Sequence, residues 1–237
     1  MKVSRKESIT QPYVLTSHDL EKFCARTNGW FFKFDFEVTC KDKLNREFST
    51  LEELLEFENS RAKDIQTLRV FGISKDTQTH LWLKFDKDLM RNIFISLEGN
   101  EDTVDGVNEA IEDSLSMMKP WYAVIARAES WLVFSFVLFL VFASISLFGF
   151  AAGRWRLSDL GNAKIIVLLI TALIAGMVSD IVLTKLRLLI FPMGVFAIGQ
   201  GLKRHKDKEL IRTGVILAFV VSLASSLVAA FILALRG

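Results

Sequence analysis

Hydrophobic residues follow two different patterns along the chain. Before residue 131, apolar and charged side chains alternate at short intervals. From residue 131 onward, long apolar runs are separated by short stretches that contain most of the remaining charges. An apolar run of about 20 residues is long enough to cross the hydrocarbon layer of a membrane. The pattern therefore predicts a water-soluble N-terminal part and a C-terminal transmembrane domain at 131–237.

The soluble part contains segments in which every second residue is apolar. Between residues 30 and 40, Phe34, Phe36 and Val38 alternate with charged or polar side chains, which is typical of a strand with one buried face. Further strands are predicted at 46–48, 67–74, 80–86 and 91–98. An antiparallel sheet of about five strands is the simplest arrangement that buries these apolar faces together.

Helical periodicity is found between the predicted strands. A short helix is predicted near residue 20, a capping box formed by Ser49 and Glu52 begins a second helix, and a third helix follows the last strand. Helices packed on one face of the sheet give an α+β domain at 16–120, which is predicted to bind a ligand or a partner. The polar residues 1–15 are predicted to be disordered.

The transmembrane domain is predicted to contain three spans and one shorter segment. The spans are predicted at 131–153, 163–184 and 213–235. The segment 186–201 is apolar but too short to cross a membrane, and Pro192 and several glycines interrupt it, so it is predicted to be interfacial or re-entrant. Residues 121–130, which begin with Trp121 and Tyr122, are predicted to be an interfacial connector.

The distribution of lysine and arginine predicts the orientation of this domain. More of these residues flank the span ends on the side of the N-terminal domain than on the opposite side, and the richer side of a membrane protein faces the cytoplasm. The prediction is a multi-pass protein of the cell membrane with a cytoplasmic N-terminus and an external C-terminus. Membrane lipids are then among its partners.

The last predicted span contains a face of small residues. They recur at every fourth position and comprise Gly214, Ala218, Ser222, Ser226, Ala230 and Ala234. Small side chains allow two helices to approach closely in a membrane. Two interpretations stay open, namely packing within one chain and a seam between the subunits of a homo-oligomer.

Two groups of charged residues near the predicted spans are candidate sites. Asp180 lies within an apolar run, so with Lys185 and Arg187 it forms a candidate ion path, or it is an interfacial residue that pairs with them. The second group precedes the last span and comprises Lys203, Arg204, Lys206 and Lys208. These residues are candidate contacts for anionic lipid headgroups, or they mark only the cytoplasmic side.

No motif of a known catalytic or metal-binding type is found in the sequence. The three histidines are far apart in the chain, and Cys24 and Cys40 do not have CxxC spacing. The sequence therefore predicts no enzymatic activity, no metal and no cofactor. A net charge of +2 gives no bulk electrostatic reason to expect nucleic acid as a partner.

The predicted layout resembles small membrane effectors of prokaryotic immune systems, in which a cytosolic sensing or partner-binding module controls a helical bundle that disrupts the membrane. The resemblance concerns the layout and no individual residue. It implies an effector or regulated pore whose α+β domain binds a cytosolic protein or a small molecule. Two alternatives stay open: a non-conducting anchor or scaffold that recruits a cytosolic partner, and a small channel or transporter subunit.

Overall fold

A computed structural model describes four parts of the chain, residues 2–74, 78–87, 91–127 and 184–236. The chain divides into two compact units. The first unit contains Met1–Ala123 and Pro192–Gly237, and the second contains Val124–Phe191. The first unit is thus assembled from segments near both ends of the chain.

A six-stranded antiparallel sheet is the centre of the first unit. Its strands are β1 (Lys2–Ile9), β3 (Phe31–Cys40), β4 (Asn45–Phe48), β5 (Ile65–Ser74), β6 (His80–Asp86) and β7 (Ile93–Asn100). Their spatial order is β1-β7-β6-β5-β3-β4. The strand between β1 and β3 in sequence, β2 (Tyr13–Thr16), pairs outside this sheet.

One face of the sheet is covered by helices. These helices are α1 (Ser17–Thr27), α2 (Leu51–Glu56) and α3 (Glu101–Met117). Leu20, Leu54 and Ile111 from the helices and Leu83 and Ile95 from the strands are buried in one hydrophobic core. Burying such a side chain stabilises a fold by about 1.5–3 kcal/mol, so the helices pack on the face of the sheet that carries these apolar residues.

Helix α2 begins one residue later than the predicted capping box. The hydroxyl oxygen of Thr50 accepts a hydrogen bond from the backbone N–H of Glu53 at 3.2 Å. The backbone N–H of Ser49 donates to the Glu53 carboxylate at 2.9 Å. The cap is therefore formed by Thr50 and Glu53, and the predicted pair of Ser49 and Glu52 is wrong by one position.

A strand from the C-terminal part of the first unit pairs with its N-terminal part. Strand β8 (Gly194–Ala197) runs parallel to β2 along its whole length. The backbone N–H of Tyr13 also donates to the carbonyl oxygen of Met193 at 2.9 Å. Phe196 and Ile198 belong to the same hydrophobic core as the main sheet. Two distant segments therefore complete one core.

Three further helices are described. Helices α4 (Ala123–Arg127) and α5, over 184–190, contain most of the described residues of the second unit. Helix α6 (Gln200–Arg236) follows β8 and belongs to the first unit. The backbone N–H of Gln200 donates to the carbonyl oxygen of Glu58 at 2.9 Å, which fixes the start of α6.

Two segments differ from their predicted structure. Residues 1–15 are predicted to be disordered, but β1 and most of β2 lie in this range, because Val3 and Ile9 pack against the core and offset the ordering cost. Segment 186–201 is predicted to be interfacial or re-entrant. It instead contains β8, and its apolar residues from Phe196 onward are buried by the α+β domain itself.

The predicted transmembrane bundle is wrong. In the described ranges, the structure contains no helix with the length and apolar character needed to cross a membrane. The residues predicted as the span 213–235 belong to α6, which begins at Gln200 and carries many charged residues before Thr213. The predicted spans 131–153 and 163–184 lie outside the described residues, apart from Thr184. The multi-pass membrane location and its orientation are overturned with the bundle.

Candidate functional site

The first turns of α6 present three cationic side chains on one side. Arg204, Lys208 and Arg212 are spaced by four residues. Side chains four residues apart lie on the same face of an α-helix. This basic face of α6 is the starting point of the candidate site.

Arg204 connects α6 to the loop between α2 and β5. Its Nη1 atom donates to the backbone carbonyl oxygen of Asn59 at 2.6 Å, and its Nη2 atom donates to Oδ1 of Asp64 at 2.8 Å. The Arg204 side chain is only 22% exposed. Hydrogen bonds in which one or both groups are charged are stronger than neutral ones, so these bonds fix the first turns of α6 against the loop.

Asp64 connects Arg204 to a third element. Its Oδ2 atom accepts a hydrogen bond at 2.7 Å from Nζ of Lys87, the residue after β6. The Lys87 ammonium also lies 5.6 Å from the ring centroid of Phe196 in β8, which is within the range of a cation–π interaction. Lys87 therefore reaches the β8 strand and the α2–β5 loop together.

Burial and neighbouring charges shift the pKa of the Lys87 amine. Burial lowers this pKa, and the hydrogen bond and negative charge of Asp64 raise it. The nearby positive charges of Arg204 and Lys208 lower it further, and the net direction is downward. Burial is the main cause of this lowering, and the charges of Arg204 and Lys208 add to it.

These side chains line a cavity of about 170 Å³. Its cationic side chains are Lys87, Arg204, Lys208 and Arg212. Asp64 is the one carboxylate among its described lining residues. Because cations outnumber carboxylates around one small space, the cavity favours an anion. We call it the basic cavity.

Arg212 is the most buried cation of the basic cavity, with 1% of its side chain exposed. Its Nη1 atom lies 2.6 Å from Oε2 of Glu209, and its Cζ atom lies 4.7 Å from the ring centroid of Tyr122. The indole N–H of Trp121 also donates to the Glu209 carboxylate. Burial raises the pKa of the Tyr122 hydroxyl to about 12, so this ring carries no charge at neutral pH.

The pKa of Glu209 is lowered although burial alone acts in the opposite direction. Hydrogen bonds from Trp121 and Arg212, together with the positive charge of Arg212, outweigh the effect of burial. Glu209 is therefore ionised at neutral pH. It offsets part of the charge of Arg212 and leaves Lys208 as a cation that is exposed at the cavity.

His205 lies between the basic cavity and a neighbouring cavity. It lines both, and the second cavity has a volume of about 310 Å³ and is also lined by Trp121. Nδ1 of His205 is buried and has no hydrogen-bond partner among the described residues. Burial and then the charge of Arg212 lower its pKa, Glu209 raises it, and Lys208 lowers it. His205 is therefore neutral at neutral pH.

The structure separates the four residues of the predicted basic cluster. Arg204 and Lys208 line the basic cavity. Lys203 and Lys206 are exposed, and neither lines that cavity. No contact with an anionic lipid headgroup follows from this geometry, so that assignment stays a prediction.

The other predicted site residues are not brought to the basic cavity. Asp180 lies outside the described residues. Lys185 and Arg187 lie on α5 in the second unit. Their pairing with Asp180, and an ion path through Asp180, therefore stay predictions.

The small-residue face of the last predicted span lies on α6. Gly214, Ala218, Ser222 and Ser226 are exposed, and the side chains of Ala230 and Ala234 lie outside the described part. The Ser226 hydroxyl donates to the backbone carbonyl oxygen of Ser222 at 2.9 Å, which satisfies it within its own helix. Self-association through this face stays a prediction.

Two functional residues of the basic cavity are missing from the sequence prediction. Asp64 directly precedes β5 and Lys87 directly follows β6. Because β5 and β6 are antiparallel neighbours, the start of one lies beside the end of the other. Antiparallel pairing of the predicted strands at 67–74 and 80–86 would have predicted that these two charges lie side by side.

A metal or thiol site is not found in the described part of the chain. No group of at least three His, Cys, Asp or Glu side chains there is arranged to hold a metal ion. Cys24 and Cys40 are free cysteines. Burial, with a smaller effect of Glu52, raises the pKa of Cys24 to about 12, so this thiol is protonated at neutral pH.

Comparison of the chain with models of protein families, with curated proteins and with solved structures finds no match. The fixed cations of the basic cavity, with a neutral imidazole at one side, make it suited to a negatively charged group.

Proposed function

We propose that the α+β domain is a binding module for a small ligand that carries a phosphate or carboxylate group, and that this group occupies the basic cavity. The observation that carries this proposal is the meeting of Lys87 with the basic face of α6 around a single carboxylate, Asp64. This proposal keeps the ligand-binding role that the sequence predicts for the domain. No reaction is assigned to the cavity.

The volume of the cavity limits what enters it. Pockets for whole drug-sized ligands measure about 300–1,000 Å³. At about 170 Å³, the basic cavity accommodates one anionic group with its first few atoms. The rest of a larger ligand extends outward, past the exposed Lys208.

The arrangement of the cations favours a fixed rather than a diffuse interaction. Arg204 is oriented by Asn59 and Asp64, and Arg212 by Glu209. Cations that are already oriented lose little conformational freedom when an anion binds. The ligand therefore meets a largely preformed site in which Lys208 is the adjustable contact.

Isothermal titration calorimetry with inorganic pyrophosphate tests the proposal. We expect binding to the full-length chain that weakens with salt, because the contacts are ionic. Lys208→Ala should weaken binding by about tenfold, as expected for loss of one charged hydrogen bond. Lys206→Ala is the matched control, because Lys206 is exposed on the same helix and does not line the cavity.

The control variant should bind pyrophosphate like the unmodified chain. Equal weakening by both substitutions would show that only general positive charge is measured. Absence of binding of pyrophosphate, inorganic phosphate and citrate to the unmodified chain would reject the proposal.

A further inference from the structure

The main sheet has a second face, opposite the helices, which we call the outer face. One row of outer-face residues crosses five strands in register: Lys6 on β1, Ser96 on β7, Trp82 on β6, Phe71 on β5 and Asp35 on β3. Strand residues that pair in register point to the same side of a sheet. The row therefore runs from a lysine at one edge to an aspartate near the other.

The centre of the outer face is aromatic. Trp82 is 38% exposed. Its ring meets the ring of Phe94 edge to face, with 5.0 Å between their centroids. Phe71 pairs with Trp82 from the neighbouring strand. Exposed aromatic side chains surrounded by polar residues are typical of the centre of a protein–protein interface.

The two edges of the outer face carry opposite charges. The β1 edge has Lys2 and Lys6, which are both exposed. At the other edge, a cavity of about 440 Å³ is lined by Asp35, Glu37, Glu47 and Phe71. One face that has a basic edge and an acidic edge is complementary to a rotated copy of itself.

Ion pairs within the chain do not remove the difference in charge between the two edges. Glu37 is bound by Arg69 at 2.6 Å and Asp35 by Lys33 at 2.8 Å. Glu47 pairs in register with Glu37, so two carboxylates share this edge. The acidic edge therefore keeps an excess of negative charge.

We propose that the outer face binds the outer face of a second copy of this chain, in a symmetric dimer whose twofold axis runs along β6. Rotation about that axis places β1 of each copy over β3 of the other, so Lys6 meets the partner's Asp35 twice in each dimer. The Trp82 rings of the two copies meet at the centre. An interface of this kind is isologous and closes at two subunits.

The charges at the two edges favour a twofold axis along β6 over one that is perpendicular to the strands. A twofold axis perpendicular to the strands would place β1 over the partner's β1. The lysines of the two copies would then face each other, and the carboxylates of the acidic edges would do the same. Like charges that face each other across an interface oppose association.

The size of the outer face predicts a dimer of moderate strength. Rotation about β6 superimposes five of the six strands, and β4 extends beyond the overlap. With five strands that are each about 4.8 Å wide and about seven residues of 3.3 Å each, the overlapping face covers roughly 24 by 23 Å, or about 1,100 Å² when both copies are counted. Specific interfaces start at about 1,000 Å², so we expect dissociation at low micromolar concentrations.

Charge reversal with exchange of partners tests the proposal. Sedimentation velocity of the unmodified full-length chain should show a concentration-dependent dimer. Lys6→Glu and Asp35→Lys should each weaken the dimer by at least about tenfold, because each substitution places like charges together twice per dimer. Lys63→Glu is the control, since Lys63 is exposed in a loop outside the sheet.

A mixture of the two weakened variants should recover the dimer. In a mixed pair, one contact is between Glu at position 6 and Lys at position 35, and the other is the natural pair of Lys6 and Asp35. A misfolded variant would not recover in this way, so restored dimerisation separates an effect on the interface from an effect on folding.

Three results would overturn the proposal. These are a monomeric unmodified chain at concentrations up to about 100 μM, a dimer that survives both single substitutions, and two weakened variants that do not associate when they are mixed. The second result would place the interface on another surface.

Discussion

The side-chain amide of Asn59 donates a hydrogen bond to the backbone carbonyl oxygen of Phe196 at 3.2 Å, across 137 residues of sequence. The same amide donates to the backbone carbonyl oxygen of Ile198 at 3.0 Å. The side-chain oxygen of Asn59, Oδ1, accepts a hydrogen bond from the backbone N–H of Ile65 at 3.0 Å. Asn59 is fully buried. One side chain therefore holds the α2–β5 loop against the segment that enters α6.

We predict that Asn59→Ala lowers the free energy of unfolding by about 3–5 kcal/mol, because it leaves several buried backbone groups without their partner. Asn59 also has a φ of 46°, a conformation that alanine adopts at a cost of about 1 kcal/mol. Asn59→Gly loses the same hydrogen bonds without this backbone strain. Urea unfolding should therefore rank the variants as Asn, Gly, Ala in order of falling stability, and equal stability of all three would contradict the hydrogen-bonded role.

Arg204→Ala tests the connection between α6 and the loop. The substitution removes the bond to the Asn59 carbonyl oxygen and the ion pair with Asp64, which are both partly buried. We expect a loss of about 1–3 kcal/mol in the free energy of unfolding. Lys206→Ala on the same helix should change it by less than about 0.5 kcal/mol. Similar effects of the two substitutions would show that Arg204 does not anchor α6.

Two glycines of α6 allow a matched comparison. A Cβ atom at Gly201 would collide with the Phe196 carbonyl oxygen and the Asn59 amide, whereas one at Gly214 would meet nothing within 4 Å. In a helix, replacement of glycine by alanine normally stabilises by about 0.5–1 kcal/mol. Gly214→Ala should therefore raise the melting temperature and Gly201→Ala should lower it. A higher melting temperature for both variants would show that the start of α6 is not tightly packed around Gly201.

The lowered pKa of His205 predicts a dependence of stability on pH. The ordinary value is 6.5, and burial with the charges of Arg212 and Lys208 lowers it in the folded state, against the effect of Glu209. The unfolded chain then binds a proton more readily than the folded chain does. The contribution to stability is complete above about pH 6.5 and decreases as the pH falls below it.

His205→Gln should remove this part of the pH dependence. The urea midpoint of the unmodified chain should fall more between about pH 7.5 and about pH 5.5 than that of the variant. Glu209 does not interfere, because its pKa is lowered from 4.5 and its effect appears at more acidic pH. Parallel curves for the two proteins would show that His205 does not titrate in this range.

The sequence predicts the local elements of the α+β domain well and its long-range contacts poorly. The strand predicted between residues 30 and 40 is observed as Phe31–Cys40, and that at 80–86 as His80–Asp86. Strict alternation marks these strands because one face is buried and the other is not. β1 carries a weaker pattern, since it is an edge strand whose inward positions include Arg5 and Glu7.

Apolar character alone does not distinguish a membrane segment from a core segment. The residues of β8 resemble an interfacial segment, yet their surroundings are Tyr13 and the core of the domain. The candidate site shows the same limit. Arg204 and Lys208 are found from their local clustering, whereas Asp64 and Lys87 require knowledge of how β5 and β6 pair.

The pairing of β2 with β8 has a consequence for the order in which the chain folds. During synthesis, the N-terminal segment emerges long before its parallel partner, and joining them requires closure of a loop of most of the chain. Strand pairs of high sequence separation form slowly. We expect the main sheet to form early. Tyr13 and Asn59 then form their contacts with β8 only later. The domain is then completed, together with its basic cavity, only when β8 and the start of α6 have been made.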